Sequence, residues 1–191
     1  MIDVNSLINE HITGKKILVT GGTTGIGRAT AMMLASCGAN VMVFGRNDEQ
    51  LEETMSAIRA LETKGESYGL VADVSQQQDI ARIFEAVDAQ LGGIDILINN
   101  AAIAYQSIME GSYEDWQYVV QTNLLGYMAC CHESVKRMEQ QSRGHILNIG
   151  SMSADVREED SSVYVATKSA IQGFSEALRK EINPKGIKVT L

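Results

Sequence analysis

Short β-branched runs alternate with longer helical stretches along the chain, and this alternation restricts the fold more than any other feature. Strands are expected at Lys16–Thr20, Asn40–Phe44, Ser67–Ala72, Ile94–Asn99, His145–Ile149 and Ile187–Leu191. Helices are expected at Gly25–Cys37, Asp48–Lys64, Gln76–Leu91, Tyr113–Gln141 and Ser161–Ile182. Several helices keep apolar residues three and four apart, as Ile80, Ile83, Phe84 and Val87 do. Strands separated by helices need parallel crossovers, so the sheet carries helices on both faces. Continuous apolar strands such as Ile17-Leu18-Val19 and Ile96-Leu97-Ile98 suit burial on both sides. The expected fold class is therefore α/β: a doubly wound parallel sheet of about six strands in a single domain. Residues 14–191 form that domain behind a short extension, residues 1–13. Pro184, the only proline, stops the last helix.

Composition removes several function classes. The net charge of −8 comes without a long basic run, which argues against a nucleic-acid partner. No apolar stretch approaches the ~20 residues of a membrane span. The N-terminus has no continuous apolar segment of signal-peptide type. Cys37, Cys130 and Cys131 are too few and too irregular for a disulfide framework and read as small helix-packing residues. His11, His132 and His145 have no metal-ligand spacing, so no metal is expected. A reducing cytoplasm fits these features best.

The first strand runs directly into Thr20-Gly21-Gly22-Thr23-Thr24-Gly25-Ile26-Gly27-Arg28, then a helix. Glycines allow a tight turn and close backbone approach to a pyrophosphate. The free N–H groups and positive dipole end of the following helix attract phosphate. Glycine turns are common, but one that follows the first strand of a βα series is the context dinucleotide binding demands. The spacing is T-G-x-x-x-G-x-G, carried by Gly21, Gly25 and Gly27. On this motif the chain resembles the short-chain dehydrogenase/reductase family, whose fold is Rossmann-like.

The resemblance implies further cofactor contacts. The second strand ends Gly45-Arg46 rather than in the carboxylate that accepts the ribose hydroxyls of NAD. Arg46 can instead pair with the 2′-phosphate, which implies NADP(H) as the preferred cofactor, with NAD(H) possible. The alternative is a solvated loop charge, and Thr24 stands where many NADP-using relatives have a second basic residue. Asp73 and Val74 would border the adenine, although Asp73 or Ser75 could equally cap the next helix. Asn100, Ala101 and Ala102 close the fourth strand, with Ala102 where the family usually has glycine. Together with Gly21, Thr23, Thr24, Gly25, Ile26, Gly27, Tyr164 and Lys168 they make up the expected cofactor set.

Tyr164 and Lys168 stand four residues apart, on one helix face. A phenol ordinarily keeps its proton at neutral pH, and a neighbouring ammonium favours phenolate. Ser151 precedes Tyr164 by thirteen positions, as the family's catalytic serine does, and can polarise a substrate carbonyl. Asn123 has low helix propensity within its expected helix and matches the family's fourth catalytic residue, which holds a relay water. The resemblance thus implies Asn123, Ser151, Tyr164 and Lys168 as catalytic residues that move hydride between NADP(H) and a carbonyl or alcohol. Possible substrates include 3-oxoacyl thioesters, ketosteroids, sugars and simple ketones.

Relatives continue beyond Leu191 with a Pro-Gly turn, a substrate loop and a seventh strand, so the chain reads as C-terminally shortened. A truncated, catalytically weak dinucleotide-binding or interaction protein therefore stands as the alternative. A serine hydrolase is disfavoured because Gly150-Ser151-Met152-Ser153 lacks the G-x-S-x-G elbow. The acidic segment Asp155–Asp160 either borders the substrate or is a solvated loop. The resemblance also implies a homodimer or homotetramer. The run Leu124, Leu125, Tyr127 and Met128 would serve that contact or the core.

Overall fold

The computed structural model describes residues 11–104, 108–157 and 159–191. Six strands make one parallel sheet in the order β3-β2-β1-β4-β5-β6. They are β1 (Lys16–Thr20), β2 (Asn40–Gly45), β3 (Ser67–Val71), β4 (Ile96–Asn99), β5 (Gly144–Asn148) and β6 (Ile187–Thr190). The helices are α1 (Gly25–Ser36), α2 (Asp48–Arg59), α3 (Gln77–Ala86), α4 (Tyr113–Val120), α5 (Gly126–Gln140), the short α6 (Ser153–Val156) and α7 (Ser162–Ile182). The expected doubly wound α/β architecture is present. Of the expected extension, residues 1–10 lie outside the described residues, as does Glu158 of the acidic segment.

Local chemistry sets the element boundaries. Asn47 caps α2 by accepting the Gln50 N–H at 2.8 Å, and Asp48 and Glu49 follow in its first turn. Ser112 and Asp115 form a reciprocal capping box at the start of α4. The last long helix stops at Ile182, and a 3₁₀ turn, Asn183–Lys185, carries Pro184 and ends on left-handed Gly186.

Two apolar clusters sandwich the sheet. One joins Ile17, Val19, Val41 and Val43 to α1 and α2. The other joins Leu18, Met42, Leu97 and Ile146 to α3, α5 and α7. Strands β1 and β4 sit side by side mid-sheet, and the chain winds outwards from them in opposite directions. In such sheets the crevice at the carboxyl ends of these strands is the usual ligand position. Cys130 and Cys131 are buried; burial pushes both thiols up, Cys131 to about 12, so they act as core residues. Tyr127 also enters the core, whereas Leu125 is exposed. Among the described residues, no helix is long and apolar enough to cross a membrane, and no His/Cys/Asp/Glu group could hold a metal.

Candidate active site

A cleft of about 830 Å³ opens above the carboxyl ends of β1 to β4. Its floor is the glycine turn. Gly21 and Gly25 take positive φ angles of 62° and 51°, a left-handed conformation that favours glycine. A Cβ on Gly25 would meet nothing within 4 Å, so the backbone there borders open space. Gly27 has the opposite role. A Cβ there would lie 2.2 Å from the Gly21 carbonyl oxygen and 2.4 Å from Asn100 Nδ2. Its bareness lets α1 press against the turn. Thr24, at the head of α1, makes no side-chain capping bond. The helix therefore presents its first N–H groups and dipole to the cleft, where Thr24, Gly25 and Ile26 form the wall.

The β4 end is fixed to this turn. Asn100 and Ala101 each donate a backbone N–H to Thr20 Oγ1 at 2.9 Å. Asn100 Nδ2 donates to the carbonyls of Thr20 and Gly21, both at 3.1 Å. Ala102 and Ile103 continue the wall. Opposite them, a side chain at Gly45 would strike Thr23 Oγ1 at 2.3 Å, so the β2 end has no room for a carboxylate at that position. Arg46 follows and faces the same cleft, as do Asp73 and Val74. Asp73 lines the cleft, as the cofactor reading requires, and its carboxylate accepts the Ser75 N–H at 2.9 Å. The capping reading fails: the next helix begins after Gln76 and has no side-chain cap from Asp73 or Ser75. Of the expected cofactor residues outside the catalytic helix, Gly27 alone is missing from the wall.

The four expected catalytic residues lie beyond the cleft's end, which is formed by Ile103 and Thr122. Asn123 is joined directly to that end. Its side chain accepts the Ile103 N–H at 2.8 Å and donates to the Ile103 carbonyl at 2.9 Å. It sits not in a plain α-helix, as expected, but within a π-helical turn, Gln121–Leu125, between α4 and α5. Such turns insert an extra residue into the helix and often occur at functional sites. Asn123 Nδ2 also donates to Thr167 Oγ1 at 3.2 Å, and that hydroxyl donates to the Tyr164 carbonyl at 2.8 Å. Asn123 and the Tyr164 backbone are thus tied together through Thr167, a residue whose part was not evident from sequence.

Lys168 is 2 % exposed. Its ammonium donates to the Ile149 carbonyl at 2.8 Å and lies 3.5 Å from the Tyr127 hydroxyl and 5.8 Å from the centre of the Tyr164 ring. Burial pulls its pKa down to about 8, so the ammonium still prevails at neutral pH. Ile149 stands two residues before Ser151, so the same bond anchors the serine's loop to α7. Ser151 Oγ accepts the Ser153 N–H at 3.1 Å. Beneath the site, Asn99 donates to Asn148 at 2.9 Å and Asn148 to Ser175 at 2.8 Å, which locks the ends of β4 and β5 together.

A family model described as short chain dehydrogenase matches residues 15–191. An uncharacterized oxidoreductase of Mycobacterium bovis is 33 % identical over 187 residues, covering 96 % of this chain and 55 % of the relative. The chain thus spans about half the length of that relative. A 3-oxoacyl-[acyl-carrier-protein] reductase of Bos taurus is 36 % identical over 178 residues, covering 93 % of this chain and 73 % of the relative. A metagenomic short-chain oxidoreductase in complex with NADP superposes with a TM-score of 0.86 at 28 % identity, covering 93 % of this chain and 80 % of the other. An NAD+-bound xylitol dehydrogenase gives the same score and identity, covering 92 % of this chain and 68 % of the other. Glycine turn, sheet order and family match together make the chain a member of the short-chain dehydrogenase/reductase family.

Proposed function

We propose that the chain is an oxidoreductase that transfers hydride between NADP(H) and a carbonyl or alcohol substrate, of which a 3-oxoacyl thioester is one candidate. The observation that carries this reading is the cleft itself: an uncapped helix N-terminus on its wall, and Ile103, to which Asn123 is hydrogen-bonded just outside it, at its far end. Residues Gly21 and Thr23–Ile26 suit a pyrophosphate, Arg46 a 2′-phosphate, Asp73 and Val74 an adenine, and Asn100–Ala102 the ribose beyond. Bound nicotinamide supplies the hydride chemistry.

Each catalytic side chain then has a distinct task. Ser151 donates a hydrogen bond to the substrate oxygen as negative charge develops there. Tyr164 gives that oxygen its proton from the phenol hydroxyl. Lys168 places a cation beside the phenol and favours its ionised form at the moment of transfer. Asn123 holds the inner end of the relay by which the proton is replaced from water. A homodimer or homotetramer belongs to the same reading, with exposed Leu125 available for contact.

The test is NADPH oxidation against a panel of ketones and 3-oxoacyl thioesters, beside the same assay with NADH. Alcohol should form one for one with NADPH consumed, and Arg46→Asp should move preference towards NADH by at least about tenfold. NADPH binding without turnover on any substrate would favour a pure binding protein. Equal use of both cofactors by wild type and mutant would remove the NADP(H) assignment.

A further inference from the structure

Tyr118, on the last turn of α4, bridges two residues of the cleft wall that come from different strands. Its hydroxyl donates to Asp73 Oδ2 at 2.7 Å and accepts from Arg46 Nη1. The Arg46 guanidinium also lies 5.7 Å from the centre of the Tyr118 ring, within cation–π range. The bond directions are fixed by valence: a phenol has one proton to give, and its lone pairs remain for the guanidinium. Burial, and then the bond to Asp73, push the phenol upward, with Arg46 partly opposing, so the proton stays on the oxygen.

Asp73 and the helix that carries Tyr118 are both braced. Asp73 Oδ1 accepts the Ser75 N–H at 2.9 Å, and the Asp73 N–H donates to Asp79 Oδ2 at 2.8 Å. Desolvation opposes ionisation of Asp73, but the bonds from Tyr118 and Ser75 outweigh it and hold its carboxyl below the usual range. The Ser112–Asp115 capping box fixes the start of α4. A guanidinium has five N–H donors, and the bond to Tyr118 engages one nitrogen. The other nitrogens remain geometrically able to fork a phosphate.

We propose that Tyr118 is a positioning residue for cofactor choice: it holds Arg46 at the cleft wall and keeps the guanidinium off Asp73, ready for a 2′-phosphate. This rests on the NADP(H) reading given above. Without the hydroxyl, Arg46 and Asp73 have nothing between them and can close into a direct ion pair. A 2′-phosphate would then have to displace that pair and order a freer side chain.

Fluorescence titration with NADPH and NADH tests this on wild type, Tyr118→Phe, Arg46→Ala and the double mutant. Tyr118→Phe should weaken NADPH about tenfold, the scale of one hydrogen bond to a charged group, and leave NADH within about twofold. In the Arg46→Ala background the same change should leave the NADPH/NADH ratio unaltered, because the effect passes through Arg46. If Arg46→Ala lowers the ratio and Tyr118→Phe does not, the positioning role is overturned and the NADP(H) reading stands. Equal weakening of both cofactors by Tyr118→Phe would reveal a structural role and also overturn it. If Arg46→Ala leaves the ratio unchanged, the NADP(H) reading falls and the positioning role falls with it.

Discussion

The two ends of the cleft are built from different materials. At the nucleotide end the recognition surface is largely backbone: the bare turn at Gly21 and Gly25, the N–H groups at the head of α1, and the tight contact of Gly27. At the proposed catalytic end it is side chain: Asn123, Thr167 and Lys168, each buried and hydrogen-bonded. The first is damaged by adding atoms: a Cβ at Gly21 or Gly27 would strike neighbouring backbone, and one at Gly25 would be strained by its left-handed φ. The second is damaged by removing them, because each group has a partner left behind.

Substitutions at each end should expose the difference, and the largest effect belongs to Tyr164. Tyr164→Phe removes only the hydroxyl, so turnover should fall about 10²- to 10⁴-fold while NADPH affinity stays within about twofold. Steady-state kinetics beside fluorescence titration reads both; near-normal turnover would end the assignment of Tyr164 as proton donor.

Lys168 gives the next largest effect, visible as stability against pH. Its pKa falls from the ordinary 10.5 to about 8 in the folded chain. Between those values the unfolded chain keeps a proton that the folded chain has lost. Wild-type stability contributed by this group should therefore rise with pH across that window, by up to about 3 kcal/mol. Urea titrations at stepped pH should show the rise in wild type and a flatter profile in Lys168→Met. Parallel profiles would mean that the ammonium is solvated rather than buried.

Gly27→Ala should act at the other end through packing alone. The added methyl would meet the Gly21 carbonyl and the Asn100 amide, so a loss of about 1–3 kcal/mol is expected. NADPH should bind more weakly as well, because α1 must retreat from the turn. An unchanged melting temperature and an unchanged dissociation constant would contradict the close contact.

Sequence reading located these ends unequally, for physical reasons. The glycine turn and the Tyr164/Lys168 pair are local patterns, fixed by spacing along one turn or one helix. The doubly wound parallel sheet followed from the βα alternation. Strand β3, by contrast, is a half-exposed edge in spite of its apolar residues Leu70 and Val71. The π-helical turn at Asn123 depends on backbone spacing that no residue type announces. Tyr118 meets Asp73 across 45 positions and Arg46 across 72, contacts that only the assembled sheet creates. Thr20, which receives two N–H groups from the β4 end, reads in sequence as one more strand residue.

One measurement addresses both ends together: backbone amide exchange of the wild-type chain with and without saturating NADPH. Exchange should slow at Gly21–Ile26 and Asn100–Ile103, and also in the first turns of α7 that carry Tyr164 and Lys168. Unchanged exchange at the glycine turn, or protection confined to a surface away from it, would contradict a single site that runs from the phosphate cradle to the phenol.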